Sequence, residues 1–214
     1  MTYLNDETIE QLKEYFKDLD KDVHVIYFNA EGAQTGEETA TILREITSIH
    51  DKLHLEEKDL EADKDLAAEY GVEMSPSYVL LDQNRNFTRV RFNGIPLGHE
   101  INSFLSALVE VGGNPPAMPE EMKARIAKID KPVNIKVFVT LGCPHCPGAV
   151  QKAHALALAN PNIQAEMVEA QTFSELSEKF NVSSVPQIVF NDSESFLGNL
   201  PFEEFIKTAE LVTQ

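Results

Sequence analysis

The sequence predicts an α/β protein made of two tandem copies of one unit, related by an internal repeat of 110 residues. Three observations carry this expectation: matched segments at one spacing, strands alternating with helices in each copy, and a single cysteine pair confined to the second copy. The segment Asp20-Lys21-Asp22-Val23-His24-Val25-Ile26-Tyr27-Phe28 returns as Asp130-Lys131-Pro132-Val133-Asn134-Ile135-Lys136-Val137-Phe138, a spacing of 110 (130 − 20). Ser75-Pro76-Ser77-Tyr78-Val79-Leu80 and Val185-Pro186-Gln187-Ile188-Val189-Phe190 give the same spacing (186 − 76). Tyr70-Gly71-Val72 lies over Phe180-Asn181-Val182, and Leu12, Phe16 and Leu19 over Met122, Ile126 and Ile129. Turn formers at Gly112-Gly113-Asn114-Pro115-Pro116 mark the join, so the expected domains are 1–113 and 114–214.

Each copy reads in the same order. A helix (5–19 and 117–129) precedes an apolar strand (23–28 and 133–140). A second helix (36–50 and 144–159) and a second strand (51–57 and 162–168) follow. A short helix (62–70 and 171–180) leads to a strand opened by proline (77–82 and 187–191). A last strand (87–92 and 194–198) and helix (97–111 and 201–213) close the unit. Helices between strands imply βαβ crossovers. A β-α-β-α-β-β-α order with a proline before the third strand is the pattern of the thioredoxin fold.

Composition narrows the function. The 214 residues are 43% apolar and 25% charged, with 18 basic and 35 acidic side chains and a formal charge of −17. That charge argues against nucleic acid or an anionic membrane as partner. No apolar run reaches the length of a membrane span, and the first residues carry no signal-peptide pattern, so a cytoplasmic protein is expected. Only two cysteines occur, Cys143 and Cys146. A disulfide framework would spread its cysteines to close long loops, so this pair is read as chemical rather than structural.

Cys143-Pro144-His145-Cys146 lies between an apolar strand and an apolar helix, the context that gives C-x-x-C a redox meaning. A helix N-terminus favours a thiolate, so Cys143 is expected to be exposed, low in pKa and the attacking sulfur. Cys146, one turn inward, resolves the mixed disulfide. His145 adds a positive charge and a donor beside the thiolate, which stabilises the reduced form. Pro144 and Pro147 are tolerated where helical N–H groups have no partner. Zinc remains a weaker alternative, because four N or S ligands are wanted and no second cysteine pair exists. No metal and no cofactor beyond the redox-active disulfide are expected. Val185-Pro186 is the second site element: in this fold that proline is cis and sits against the cysteine pair, leaving the Val185 backbone to pair with an extended substrate.

The repeat places Ala33-Gln34-Thr35-Gly36 over the cysteine motif, so the first copy has no thiol chemistry. It is either a docking platform or a packing scaffold.

Two runs carry a family resemblance: Phe92-Asn93-Gly94-Ile95-Pro96-Leu97-Gly98-His99-Glu100 and Phe138-Val139-Thr140-Leu141-Gly142-Cys143-Pro144-His145-Cys146-Pro147. Over nearly its whole length the chain resembles the tandem-thioredoxin, glutaredoxin-like protein disulfide oxidoreductases, and is similar to the N-terminal redox domain of AhpF, the flavoprotein component of alkyl hydroperoxide reductase. The resemblance implies that Glu100, coming from the cysteine-free copy, faces the cysteines and takes the proton of the buried Cys146 thiol. From the sequence alone, Glu100 is a helix N-terminal acid suited to the dipole. The 214 residues hold no Gly-rich nucleotide fingerprint, so electrons are expected from a separate thioredoxin-reductase-like flavoprotein. The expected function is reduction of protein disulfides, with a peroxiredoxin among the candidate acceptors. The rival readings are a redox-sensing module whose cysteine pair gates a partner, and a metal or iron–sulfur assembly held by Cys143 across a dimer.

Overall fold

The computed structural model describes residues 2–214. Its elements, in chain order, are α1 (Asp6–Phe16), β1 (Val23–Asn29), α2 (Gly36–Thr47), β2 (Leu53–Asp59), α3 (Lys64–Glu69), β3 (Ser77–Leu81), β4 (Phe87–Asn93) and α4 (Ile101–Val111), with a 3-10 turn at Gly98–Glu100 just before α4. Then come α5 (Glu120–Ala127), β5 (Val133–Val139), α6 (Cys146–Ala159), β6 (Ile163–Glu169), α7 (Ser174–Lys179), β7 (Gln187–Phe190), β8 (Glu194–Leu197) and α8 (Phe202–Leu211). The fold is the mixed α/β class that the sequence predicts. No helix among the described residues is long and apolar enough to cross a membrane.

The chain divides into two compact units. One holds residues 1–88, 93–96 and 106–116; the other holds 89–92, 97–105 and 117–214. The second unit therefore takes in two segments that precede the join expected at 112–116.

In the first unit the strand order is β2-β1-β3. β1 is the central strand, and its run of four buried residues, Val25 to Phe28, reflects helices or loops on both faces. It pairs parallel to β2, with Val23 opposite Leu53, and antiparallel to β3, with Val25 opposite Leu80. In the second unit β5 does the same, with Val133 opposite Ile163 on β6 and Ile135 opposite Phe190 on β7. Each of these partners lies 110 residues beyond its counterpart (133 − 23; 190 − 80).

The cores follow the same template. Phe28, Val79, Tyr70, Val72 and Leu66 pack together in the first unit, and Phe138, Val189, Phe180, Val182 and Leu176 in the second. These apolar side chains at strand and short-helix positions supply the main stabilisation, roughly 1.5–3 kcal/mol for each fully buried large side chain. Caps and turns end the elements: Asn5 accepts the Thr8 N–H at 2.8 Å to start α1, and Asp59 accepts the N–H groups of Glu61 and Ala62 after β2.

The spacing changes in the closing hairpin. Gly94 donates to the Pro76 carbonyl at 2.9 Å and Gly198 to the Pro186 carbonyl at 2.8 Å, and these glycines are 104 apart (198 − 94). The second hairpin is shorter, with a four-residue β8 at the place of the seven-residue β4. Arg89 in β4 adopts φ 65°, a left-handed residue inside the strand that breaks its regular pleat.

Candidate functional site

The site is built at the carboxyl end of β5. The chain leaves the strand at Val139, turns with the Cys143 N–H donating to the Thr140 carbonyl at 3.1 Å, and enters α6 at Cys146. Cys143 and Cys146 form a disulfide with Cα atoms 5.5 Å apart. Cys146 is fully buried, and Cys143 is not exposed as the sequence predicts: in the disulfide it packs into the turn and keeps only 9% of its surface, flanked by exposed Pro144 and His145. Of the two cysteines, only Cys143 keeps any exposed surface. His145 stands just before the helix with φ −94°, and Pro147 occupies the first helical turn. Helix α6 begins at Cys146, so Cys143 lies in the turn ahead of it, near its unpaired N–H groups.

Val185 and Pro186 approach the same end of the second unit. The Val185–Pro186 peptide bond is cis, as is Ser75–Pro76 in the first unit. Val185 is half-buried and Pro186 buried at the start of β7, which lies directly beside β5.

Glu100 belongs to the redox unit, because residues 97–105 cluster with it rather than with the cysteine-free unit. The 3-10 turn that carries Glu100 packs against α6. The side chain is fully buried. Its Oε2 accepts from the Ser103 hydroxyl at 2.6 Å, while Oε1 is buried with no hydrogen bond among the described residues. Burial pushes its carboxyl up to about 7, with the Ser103 bond opposing only in part. An acid placed to suit a helix dipole would stay ionised at the surface; this one is held where its proton is mobile near neutrality.

The turn ahead of Glu100 is tied to the loop ahead of Cys143. The His99 N–H donates to the Leu141 carbonyl at 2.9 Å. Gly98 has φ +58°, and a Cβ built on it would run into the Leu141 carbonyl. In the sequence, Gly98 and His99 stand within a family run and have no role of their own. The available signal was a glycine two residues before an acid, with no turn or hairpin to explain it.

Two further buried groups line the same unit. Arg91 and Glu166 pair at 3.2 Å with both side chains almost fully covered, and Lys136 lies 3.7 Å from Glu166. His154 of α6 is buried edge-on to Phe92, with ring centroids 4.7 Å apart. Burial lowers its imidazole to about 3, and an approach from the Arg91 backbone offsets only part of that.

In the first unit, the corresponding turn has the Ala33 N–H donating to the Ala30 carbonyl at 3.1 Å. It opens onto a cleft of about 340 Å³ lined by Asn29, Glu31, Ala33, Gly36, Glu37 and Asp59, with no thiol. Among the described residues, no group of three or more His, Cys, Asp or Glu side chains is placed to hold a metal ion.

A model of the thioredoxin domain matches residues 133–210. The fold of the whole chain superposes on the structure of the alkyl hydroperoxide reductase protein AhpF from Enterococcus faecalis with a TM-score of 0.92 and 31% identity, covering 97% of this chain and 100% of that one. The N-terminal domain of the same AhpF, solved separately, gives 0.91 and 30% with the same coverage. The chain belongs to the family of the AhpF N-terminal domain. This family is one of thioredoxin-fold disulfide oxidoreductases: a protein disulfide oxidoreductase from Aeropyrum pernix superposes with a TM-score of 0.90 at 25% identity, covering 100% of this chain and 95% of that one. Among curated relatives, the alkyl hydroperoxide reductase AhpF of Staphylococcus aureus is 29% identical over 203 residues, and a Bacillus subtilis protein named NADH dehydrogenase is 26% identical over 196. The alignments cover 95% and 92% of this chain but only 37% and 36% of those proteins.

Proposed function

We propose that this chain is a dithiol–disulfide exchange protein that carries electron pairs from a flavoprotein to protein disulfides, a peroxiredoxin among them. The observation that carries the reading is the asymmetry of the disulfide: Cys143, in the turn before α6 beside exposed Pro144 and His145, keeps 9% of its surface, and Cys146 keeps none. Attack and resolution need that division of labour. The names of the relatives, an alkyl hydroperoxide reductase component and an NADH dehydrogenase, support a position in a chain that runs from a pyridine nucleotide to a peroxide-reducing system.

The exchange balances as follows. The Cys143 thiolate attacks one sulfur of the substrate disulfide, forming a mixed disulfide and releasing one substrate thiolate. The Cys146 thiol gives its proton to the Glu100 carboxylate, and its sulfur attacks Cys143 Sγ. The second substrate thiolate leaves and the Cys143–Cys146 disulfide forms. Two electrons pass to the substrate, and two protons restore its thiols. A carboxyl near 7 can hold and return that proton at neutral pH. In this scheme His145 favours the thiolate electrostatically, and an extended substrate lies against Pro144, Val185 and Pro186.

The test is mixed-disulfide trapping. Cys146→Ser should accumulate a covalent adduct with a disulfide substrate such as insulin, and Cys143→Ser should form none and have no reductase activity. A Cys143→Ser protein that still reduces insulin would sink the assignment. The rival reading, a redox-sensing module that gates a partner, predicts oxidation and reduction of the pair without catalytic turnover in the same assay.

A further inference from the structure

The geometry points to Gly98 as a positioning residue for disulfide exchange, which clamps the loop that presents Cys143 and sets the Glu100 carboxyl with the same contact. Three observations meet there. Gly98 takes φ +58°, a conformation that side-chain-bearing residues rarely adopt. Its Cα lies so close to the Leu141 carbonyl that a Cβ has no room. The next residue, His99, donates its N–H to that same carbonyl at 2.9 Å.

Leu141 is two residues before Cys143, and the turn that joins them is closed by the Cys143 N–H bond to Thr140. The clamp holds this turn from its outer side. Two residues after Gly98 comes Glu100, buried in the turn that packs on α6, the helix that begins at Cys146. One short segment thus touches the loop of the attacking sulfur and the helix of the resolving one. In the first unit, the equivalent loop at Asn29–Ala33 instead borders an open cleft. The clamp is found on the copy that has cysteines to position.

The inference rests on the reading of Cys143–Cys146 as the redox pair. Gly98→Ala should slow reduction of the disulfide by dithiothreitol, and of insulin by the reduced protein, by about 10- to 100-fold, the range that follows from displacing reacting groups by about 1 Å. It should also raise the pH at which the Cys143 thiolate forms, read by its ultraviolet absorbance, because the sulfur is then held less well against the helix N-terminus. Circular dichroism and the thermal midpoint report folding separately. Gly98→Asn, which tolerates the backbone angle better but keeps the Cβ, should behave like Gly98→Ala. The wild-type protein gives an independent measure: the His99 amide should be protected from hydrogen exchange. A folded Gly98→Ala protein with unchanged rate and thiolate titration, or a His99 amide that exchanges at the free-peptide rate, overturns the inference. An active Cys143→Ser protein would overturn the site reading itself, whereas an inactive one beside an unaltered Gly98→Ala would overturn the clamp alone.

Discussion

At positions 110 residues apart, the two units answer the same structural question in opposite ways. In the second unit Val139 ends the strand and Cys146 starts the helix, fully buried in its disulfide with Cys143. In the first unit those places are held by Asn29 and Gly36. A Cβ built on Gly36 would collide with the Asn29 Oδ1 atom, so the amide fills the space that a cysteine side chain would need. Asn29 donates to Glu37 at 3.3 Å, and its buried oxygen has no partner among the described residues. The residue before the helix differs as well: Thr35 is left-handed at φ 60°, whereas His145 is not. The first unit thus differs by more than the absence of two sulfur atoms. One amide side chain, Asn29, takes the space beside Gly36.

The sharpest way to break this comparison is to transplant the pair. Ala33→Cys with Gly36→Cys should leave two titratable thiols beside the native disulfide and destabilise the first unit by about 1–3 kcal/mol through overpacking. Adding Asn29→Val should relieve the collision and let a second disulfide form. A double variant with no free thiols by thiol titration would show that Asn29 is no barrier.

A second test concerns the ion pair of the redox unit. Arg91→Met leaves buried Glu166 with Lys136, 3.7 Å away, in place of its closer guanidinium, and should cost about 3 kcal/mol in urea unfolding, the lower end for a broken buried pair. A cost below about 0.5 kcal/mol would mean that the pair is as dispensable as a surface one.

The smallest effect comes from Glu100, and it depends on pH. Its folded-state value, near 7, is above the ordinary carboxyl value, so the folded protein holds the proton more tightly than the unfolded chain. Stability contributed by the neutral acid is thus full below the unfolded value of about 4.3 and is lost as pH rises through 7. Glu100→Gln should therefore be more stable than the parent by on the order of 2 kcal/mol at pH 8, and no more stable near pH 4. Equal stability at both pH values would show that the carboxyl is solvated. In the same variant, the rise of resolution rate with pH through 7 should flatten.

Much of this was legible in the sequence because it depends on local pattern. Paired strands such as Val25–Leu80 and Ile135–Phe190 are visible as apolar runs at one spacing, and the prolines that precede β3 and β7 stand in register. The disulfide needs only a strand, two cysteines three apart and a helix. What was not legible depends on contacts between residues distant along the chain. Glu100 reads as a surface acid at a helix start, and only burial turns it into a group that titrates near 7. Gly98 and Leu141 are far apart in the chain, so no local rule exposes their clamp. The change of spacing from 110 to 104 falls in a hairpin, where loop length is weakly constrained by packing.

The assignment of residues 89–92 and 97–105 to the redox unit bears on how this protein can be recombined. A cut at the glycine-rich join would separate Arg91 from Glu166 and Glu100 from α6, leaving the Glu166 carboxylate on one fragment and its guanidinium, with the Glu100 turn, on the other. The cysteine-bearing half is not a cassette. A redox module taken from this chain along its compact unit carries residues 89–92 and 97–105 along with 117–214.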